Sequence, residues 1–168
     1  MKRRYLTLFS LGGLIFSLDQ FSKHLVEAWL PIGKRLEMGV VVVTQSRHPG
    51  MVFGLLKSAG RPLDDVLMTG IPLFAIVLIV LIFIKMRSNE YLTSFALMAI
   101  LTGALGNLLD RVRSGFVLGF LEVGVGGFRL PSFNVADVSI VVGVLVLFFH
   151  TLHSAKEPPE RFPKEQAP

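Results

Sequence analysis

No cysteine occurs in this chain of 168 residues. That excludes a disulfide framework, a thiolate metal site and a cysteine nucleophile. Charge is also scarce: 17% of the residues are Asp, Glu, Lys or Arg, against about 25% in a soluble domain. The shortage is concentrated in long stretches that carry no charge, while the hydrophobic class reaches 52%. Disorder, collagen and coiled coil are excluded by the same composition, and an integral membrane protein is expected. A net charge of +5 would suit nucleic acid. In a membrane protein, basic residues more often set topology, and their positions here account for them in that way, so nucleic acid is not expected as a partner.

A bilayer core of about 30 Å needs roughly 20 helical residues to cross it. Tyr5 to Leu18 is uncharged and continues into the amphipathic run Asp19 to Leu30. Leu67 to Ile84 ends at Lys85, Tyr91 to Leu109 ends at Asp110, and Val135 to Leu152 carries one charge, Asp137, in its first turn. These stretches predict four transmembrane helices, the first uncleaved because FSLDQFSK offers no small-x-small site. Lys2, Arg3 and Arg4 precede the first span, Lys85 and Arg87 sit between the second and third, and Lys156, Arg161 and Lys164 follow the fourth. Both termini are therefore expected in the cytoplasm.

Residues 1–155 read as one membrane domain, and the Pro-rich, charged tail 156–168 as disordered and cytoplasmic. An outward segment of about 31–56 contains RLEMGVVVVTQ, whose β-branched residues predict strands. A second outward segment, about 111–132, is Gly-rich and is expected to be a loop or hairpin. The fold class is thus four transmembrane helices with a small extracytoplasmic β-sheet.

The polar residues fall unevenly. Asp19, Asp110 and Asp137 all lie near the outer ends of their spans. Asn107, Asp110 and Arg111 share one helix face, as do Asn134 and Asp137, and as do Asp19 and Lys23. An ionisable residue at the edge of a membrane helix is costly and marks a candidate site. Plainer roles compete. Asn134 and Asp137 suit a helix N-cap and first-turn acid. Asp110 with Arg111 or Arg113, and Asp19 with Lys23, suit structural ion pairs. Gly103 and Gly106 suit close helix packing, and His150 and His153 suit an interfacial position. No metal site is expected, since His24 and His48 are too scattered for one. Two carboxylates held close cannot both ionise easily. The charged one can draw a proton from water while the neutral one polarises a carbonyl, which is peptide hydrolysis without a covalent intermediate. A proton relay or ion pathway could use the same residues.

Three motifs add a resemblance. Asp19-Gln20-Phe21-Ser22-Lys23, Gly103-Ala104-Leu105-Gly106-Asn107-Leu108-Leu109-Asp110-Arg111 and Phe133-Asn134-Val135-Ala136-Asp137 are similar, in order and type, to the DQxSK, GAxGNxxDR and FNxAD motifs of the lipoprotein signal peptidases. The resemblance covers nearly all of the chain except the tail. It implies an aspartic endopeptidase of the bacterial inner membrane, without cofactor. Such an enzyme removes the signal peptide of a prolipoprotein just before a diacylglyceryl-modified cysteine, so membrane lipid and prolipoprotein signal peptides are the implied partners. Asp137 matches one of the two catalytic aspartates. Asp19, Asn107, Arg111 and Asn134 match residues that line or brace the site, as Lys23 does within its motif.

Two positions depart from the pattern. The family's V-V-D-F segment reads Val117-Leu118-Gly119-Phe120 here, so Gly119 stands where the other catalytic aspartate is expected. The N-x-G motif reads His48-Pro49-Gly50. Glu122, Asp110 and Asp19 are the carboxylates that could substitute, Glu122 through its reach in a flexible loop. The expectation is an impaired homologue that binds lipidated signal peptides; the alternatives are an active endopeptidase with a substitute acid, and a small channel or transporter.

Overall fold

The charge-poor stretches all form helices in the computed structural model, which describes residues 2–48, 61–86 and 90–154. Helix α1 spans Lys2–Trp29, α2 Arg61–Lys85, α3 Tyr91–Ser114 and α4 Val135–Ser154. At about 1.5 Å per residue, 20 residues already reach about 30 Å. By length and composition, Tyr91–Ser114 and Val135–Ser154 are long and apolar enough to cross a membrane, with mean hydropathy 1.7 and 2.2, and Thr69–Lys85 is a shorter apolar helix. Helix α1 is continuous through Asp19 and Lys23.

Helix α3 is central and packs against α1, α2 and α4. Its buried face is built from small residues, among them Ser94, Ala96, Ala99, Thr102 and Gly103. Small side chains let helix backbones approach closely. A Cβ on Gly143 of α4 would lie 2.6 Å from the Ala96 carbonyl oxygen and 2.7 Å from Ile100, so no larger residue fits that crossing. Much of the opposite face of α4 is exposed and apolar, including Val141, Leu145, Phe148 and Phe149. A face of this kind needs apolar surroundings. His150 and His153 border a groove with Leu92, Val142, Leu145, Val146 and Phe149, so the start of α3 lies beside the end of α4.

The other end of the helices carries a sheet of order β1-β2-β3-β4 with antiparallel pairing throughout. Strand β1 is Arg35–Met38, β2 Val41–His48, β3 Val117–Val125 and β4 Phe128–Arg129. A bulge in β2 lies between Val43 and Ser46. The segment 111–132, expected as a loop or hairpin, holds the end of α3 and a hairpin. Helix α3 runs on to Ser114 and ends at Gly115, whose φ of 75° is left-handed and whose N–H bonds to the Arg111 carbonyl at 2.9 Å. Strands β3 and β4 then form a hairpin that turns at Gly126 and Gly127, with φ of 58° and 88°. A tight turn with two positive φ values matches the twist of the flanking strands. Leu121 pairs with Phe133, which ties the entrance of α4 to the sheet. Gly50, the later part of the outward segment and the tail lie outside the described residues.

Candidate active site

Helix α1 contributes Asp19 and Lys23, one turn apart. Asp19 is 1% exposed and Lys23 4%, so this is no surface pair. The Lys23 ammonium lies 2.7 Å from Asp19 Oδ2 and 2.7 Å from Asp110 Oδ2. One cation thus serves two carboxylates, and Asp110 pairs with Lys23 in place of the expected Arg111 or Arg113. Gln20 Nε2 donates to Asp19 Oδ2 at 3.0 Å and to Asp110 Oδ1 at 3.1 Å. The second oxygen of Asp19 accepts the backbone N–H of Ala136 at 2.8 Å, one of the donors left unpaired at the start of α4. Gly106 makes room for this carboxylate: a Cβ there would lie 2.7 Å from Asp19 Oδ2.

Helix α3 contributes Asn107. Its Oδ1 accepts from Lys23 Nζ at 3.3 Å and from Asn134 Nδ2 at 3.1 Å. An ammonium can only donate, which fixes the orientation of the amide and aims its NH2 the other way. That NH2 donates to Asp137 Oδ1 at 2.7 Å. Lys23 therefore sets Asn107, and Asn107 sets Asp137.

Asn134 and Asp137 form a reciprocal cap at the start of α4. Asp137 N–H donates to Asn134 Oδ1 at 2.8 Å, and Asn134 N–H to Asp137 Oδ2 at 3.1 Å. The capping role and the site role thus coincide in one residue, because the other carboxylate oxygen faces Asn107. Asn134 Nδ2 also donates to the Leu118 carbonyl at 3.0 Å, which joins the cap to β3. Arg111 Nη1 donates to the Asn107 carbonyl at 3.2 Å. Its Nε–H is buried and has no hydrogen-bond partner among the described residues.

Gly119 is buried on β3, next to Leu118, and its surroundings are full. A Cβ at this position would lie 2.7 Å from His48 Nε2, 2.7 Å from the Ser132 carbonyl oxygen and 2.9 Å from Ser132 Oγ. His48 reaches over from β2, where it pairs with Val117. Its Nε2 lies 2.7 Å from Ser132 Oγ and 3.1 Å from the Ser132 carbonyl. With its proton on Nε2, the imidazole would donate to that carbonyl and keep its lone pair on Nδ1.

Glu122 is placed elsewhere. It lies in a strand, not in a flexible loop, and its partners are arginines of the sheet, whereas the neighbours of Gly119 are His48 and Ser132. Glu122 pairs with Arg35 and reaches Arg129 at 4.0 Å. The described residues hold no group of three or more acids and histidines that could bind a metal.

One end of the bundle thus holds Asp19, Lys23, Asn107, Asp110, Arg111, Asn134 and Asp137 in one bonded network, with His48 and Gly119 beside it across Leu118 and Ser132. The family profile described as Signal peptidase (SPase) II matches residues 11–153. The chain belongs to the signal peptidase II family. The lipoprotein signal peptidase of Syntrophus aciditrophicus (strain SB) is 36% identical over 159 residues, covering 94% of this chain and 99% of that protein. The lipoprotein signal peptidase of Francisella tularensis subsp. novicida (strain U112) is 31% identical over 156 residues, covering 92% and 97%. A bacterial membrane enzyme solved by the in meso method at 2.3 Å resolution superposes with a TM-score of 0.82 at 26% identity, over 94% of each chain. This signal peptidase II family member is accordingly a membrane protein with apolar helices.

Two residues of the network were not singled out by sequence reasoning. Gln20 lies inside the first motif, and its spacing from Asp19 gives no sign that it also reaches Asp110. Ser132 has no motif of its own; only the filled space at Gly119 reveals it.

Proposed function

We propose that this signal peptidase II family member binds diacylglyceryl-modified prolipoprotein signal peptides at the outer interface of a bacterial inner membrane, and cuts them slowly. In this reading all four helices span the bilayer, both termini are cytoplasmic, and the sheet lies on the outer surface. The basic residues at Lys2, Arg3, Arg4 and Lys85 support that orientation.

The carrying observation is that, among the described residues, the Asp137 carboxylate bonds to Asn107 and Asn134 and to no second carboxylate. Gly119 offers none, and its space is taken by His48 and Ser132. Asp19 and Asp110 are both committed to Lys23, and Glu122 pairs with Arg35. Two-carboxylate hydrolysis needs one charged and one neutral acid at the same water. A lost general acid or base typically costs about 10²- to 10⁴-fold in rate. Binding has a different basis: the polar frame of Asn107, Arg111 and Asn134, and apolar helix faces for a signal peptide.

The test is a purified-protein assay with a labelled diacylglyceryl prolipoprotein, reading binding and cleavage separately. Saturable binding with slow cleavage is expected. Absence of binding, or cleavage that Asp137→Asn leaves unchanged at a high rate, would defeat the reading.

A further inference from the structure

The two departures of this sequence from its family pattern meet in space. His48 and Gly119 are 71 residues apart by subtraction of their numbers, yet a side chain at 119 and the imidazole of His48 compete for one volume. The imidazole is also oriented. Ser132 holds Nε2 through its carbonyl and hydroxyl, and in the tautomer with the proton on Nε2 the basic nitrogen is Nδ1. A histidine whose far nitrogen is fixed by a hydrogen-bond partner is arranged as a general base. The short segment from Ser132 to Asp137 carries both the group that orients His48 and the remaining aspartate. Strand pairing at His48 is made by backbone and does not require an imidazole.

We infer that His48 is a catalytic residue, oriented by Ser132, that handles the proton of the attacking water in place of the missing carboxylate. The inference rests on the proposed function and assigns the slow cleavage to a named group. A water held at Asp137 gives one proton to His48 Nδ1. Its oxygen bonds to the scissile carbonyl carbon, and the carbonyl π pair moves to oxygen. The adduct then collapses, the C–N bond breaks, and the proton on Nδ1 passes to the leaving nitrogen. One peptide bond and one water become one carboxylic acid and one amine, and His48 returns to its starting form.

The experiment compares the unmodified protein with His48→Gln, His48→Ala, Ser132→Ala and Asp137→Asn on the labelled diacylglyceryl prolipoprotein. Thermal unfolding in the same detergent checks that each variant is folded. His48→Gln is expected to lower the cleavage rate about 10²-fold with the Kd for the substrate unchanged. Ser132→Ala should lower the rate by less, since the imidazole remains but is less well held. Added imidazole should restore part of the rate in His48→Ala, which a purely structural histidine would not allow. Cleavage by His48→Gln at the unmodified rate overturns the inference. So does an unmodified rate no higher than that of Asp137→Asn. If the unmodified protein binds no substrate, the proposed function fails, and this inference with it.

Discussion

Gly119 and His48 are a matched pair of residues. Placing a Cβ at 119 brings it to 2.7 Å from both an imidazole nitrogen and a backbone carbonyl. The imidazole can turn away, but the carbonyl moves only with the chain. Overpacking of this kind costs about 1–3 kcal/mol, so Gly119→Ala is expected to lower stability by that amount in chemical denaturation. Gly119→Asp alone should cleave no faster than the unmodified protein, because it displaces His48 and strains Ser132. Gly119→Asp with His48→Asn frees the side-chain volume and supplies a second carboxylate. The two changes should be strongly non-additive in a double-mutant cycle of cleavage rate, as expected for residues in contact; additive effects would show that they do not interact.

Helix ends and strand faces decide which charges matter. Lys23 is buried between Asp19 and Asp110. Removing one partner of a buried ion pair typically costs about 3–5 kcal/mol. Lys23→Met should therefore lower thermal stability sharply, and should also slow cleavage by releasing Asn107 from its fixed orientation. The pair between Arg35 and Glu122 is different, because the Arg35 side chain is 45% exposed. Exposed pairs are worth about 0–1 kcal/mol, so Glu122→Gln should change stability little and leave cleavage as it was. Loss of cleavage in that variant would place Glu122 at the site after all. The helices were legible in the sequence because long uncharged runs leave few alternatives. Strand β3 was legible only as part of a loop or hairpin marked by Gly124, Gly126 and Gly127, and only the folded chain shows that Glu122 pairs with Arg35. The spacing of Asn107, Asp110, Asn134 and Asp137 gave shared faces, but not that Asp110 turns to Lys23 while Asp137 turns to Asn107. Those choices depend on how α1 packs against α3, which no local spacing encodes.

At the scale of the whole molecule, polar chemistry is gathered at one end and the sides are apolar. Asp19, Asn107 and Asp137 lie at the sheet-bearing end, while Leu92, His150 and His153 share the other. The four-span orientation predicts that position 85 is reached from the cytoplasm and position 37 from outside. The chain has no cysteine, so single cysteines introduced at Lys85 and Glu37 can be labelled with a membrane-impermeant thiol reagent. Labelling of Glu37→Cys alone in intact cells with the outer surface exposed is expected; equal labelling of both would contradict the topology. The central claim is that the protein engages a lipidated signal peptide but lacks the second carboxylate for fast cleavage. Its most direct test is the rate at which unmodified protein and Gly119→Asp/His48→Asn release the signal peptide from a diacylglyceryl prolipoprotein at equal substrate occupancy. The account predicts slow release by the unmodified protein and release about 10²-fold faster by the double variant. A double variant that binds the substrate, folds, and cuts no faster than the unmodified protein would contradict it.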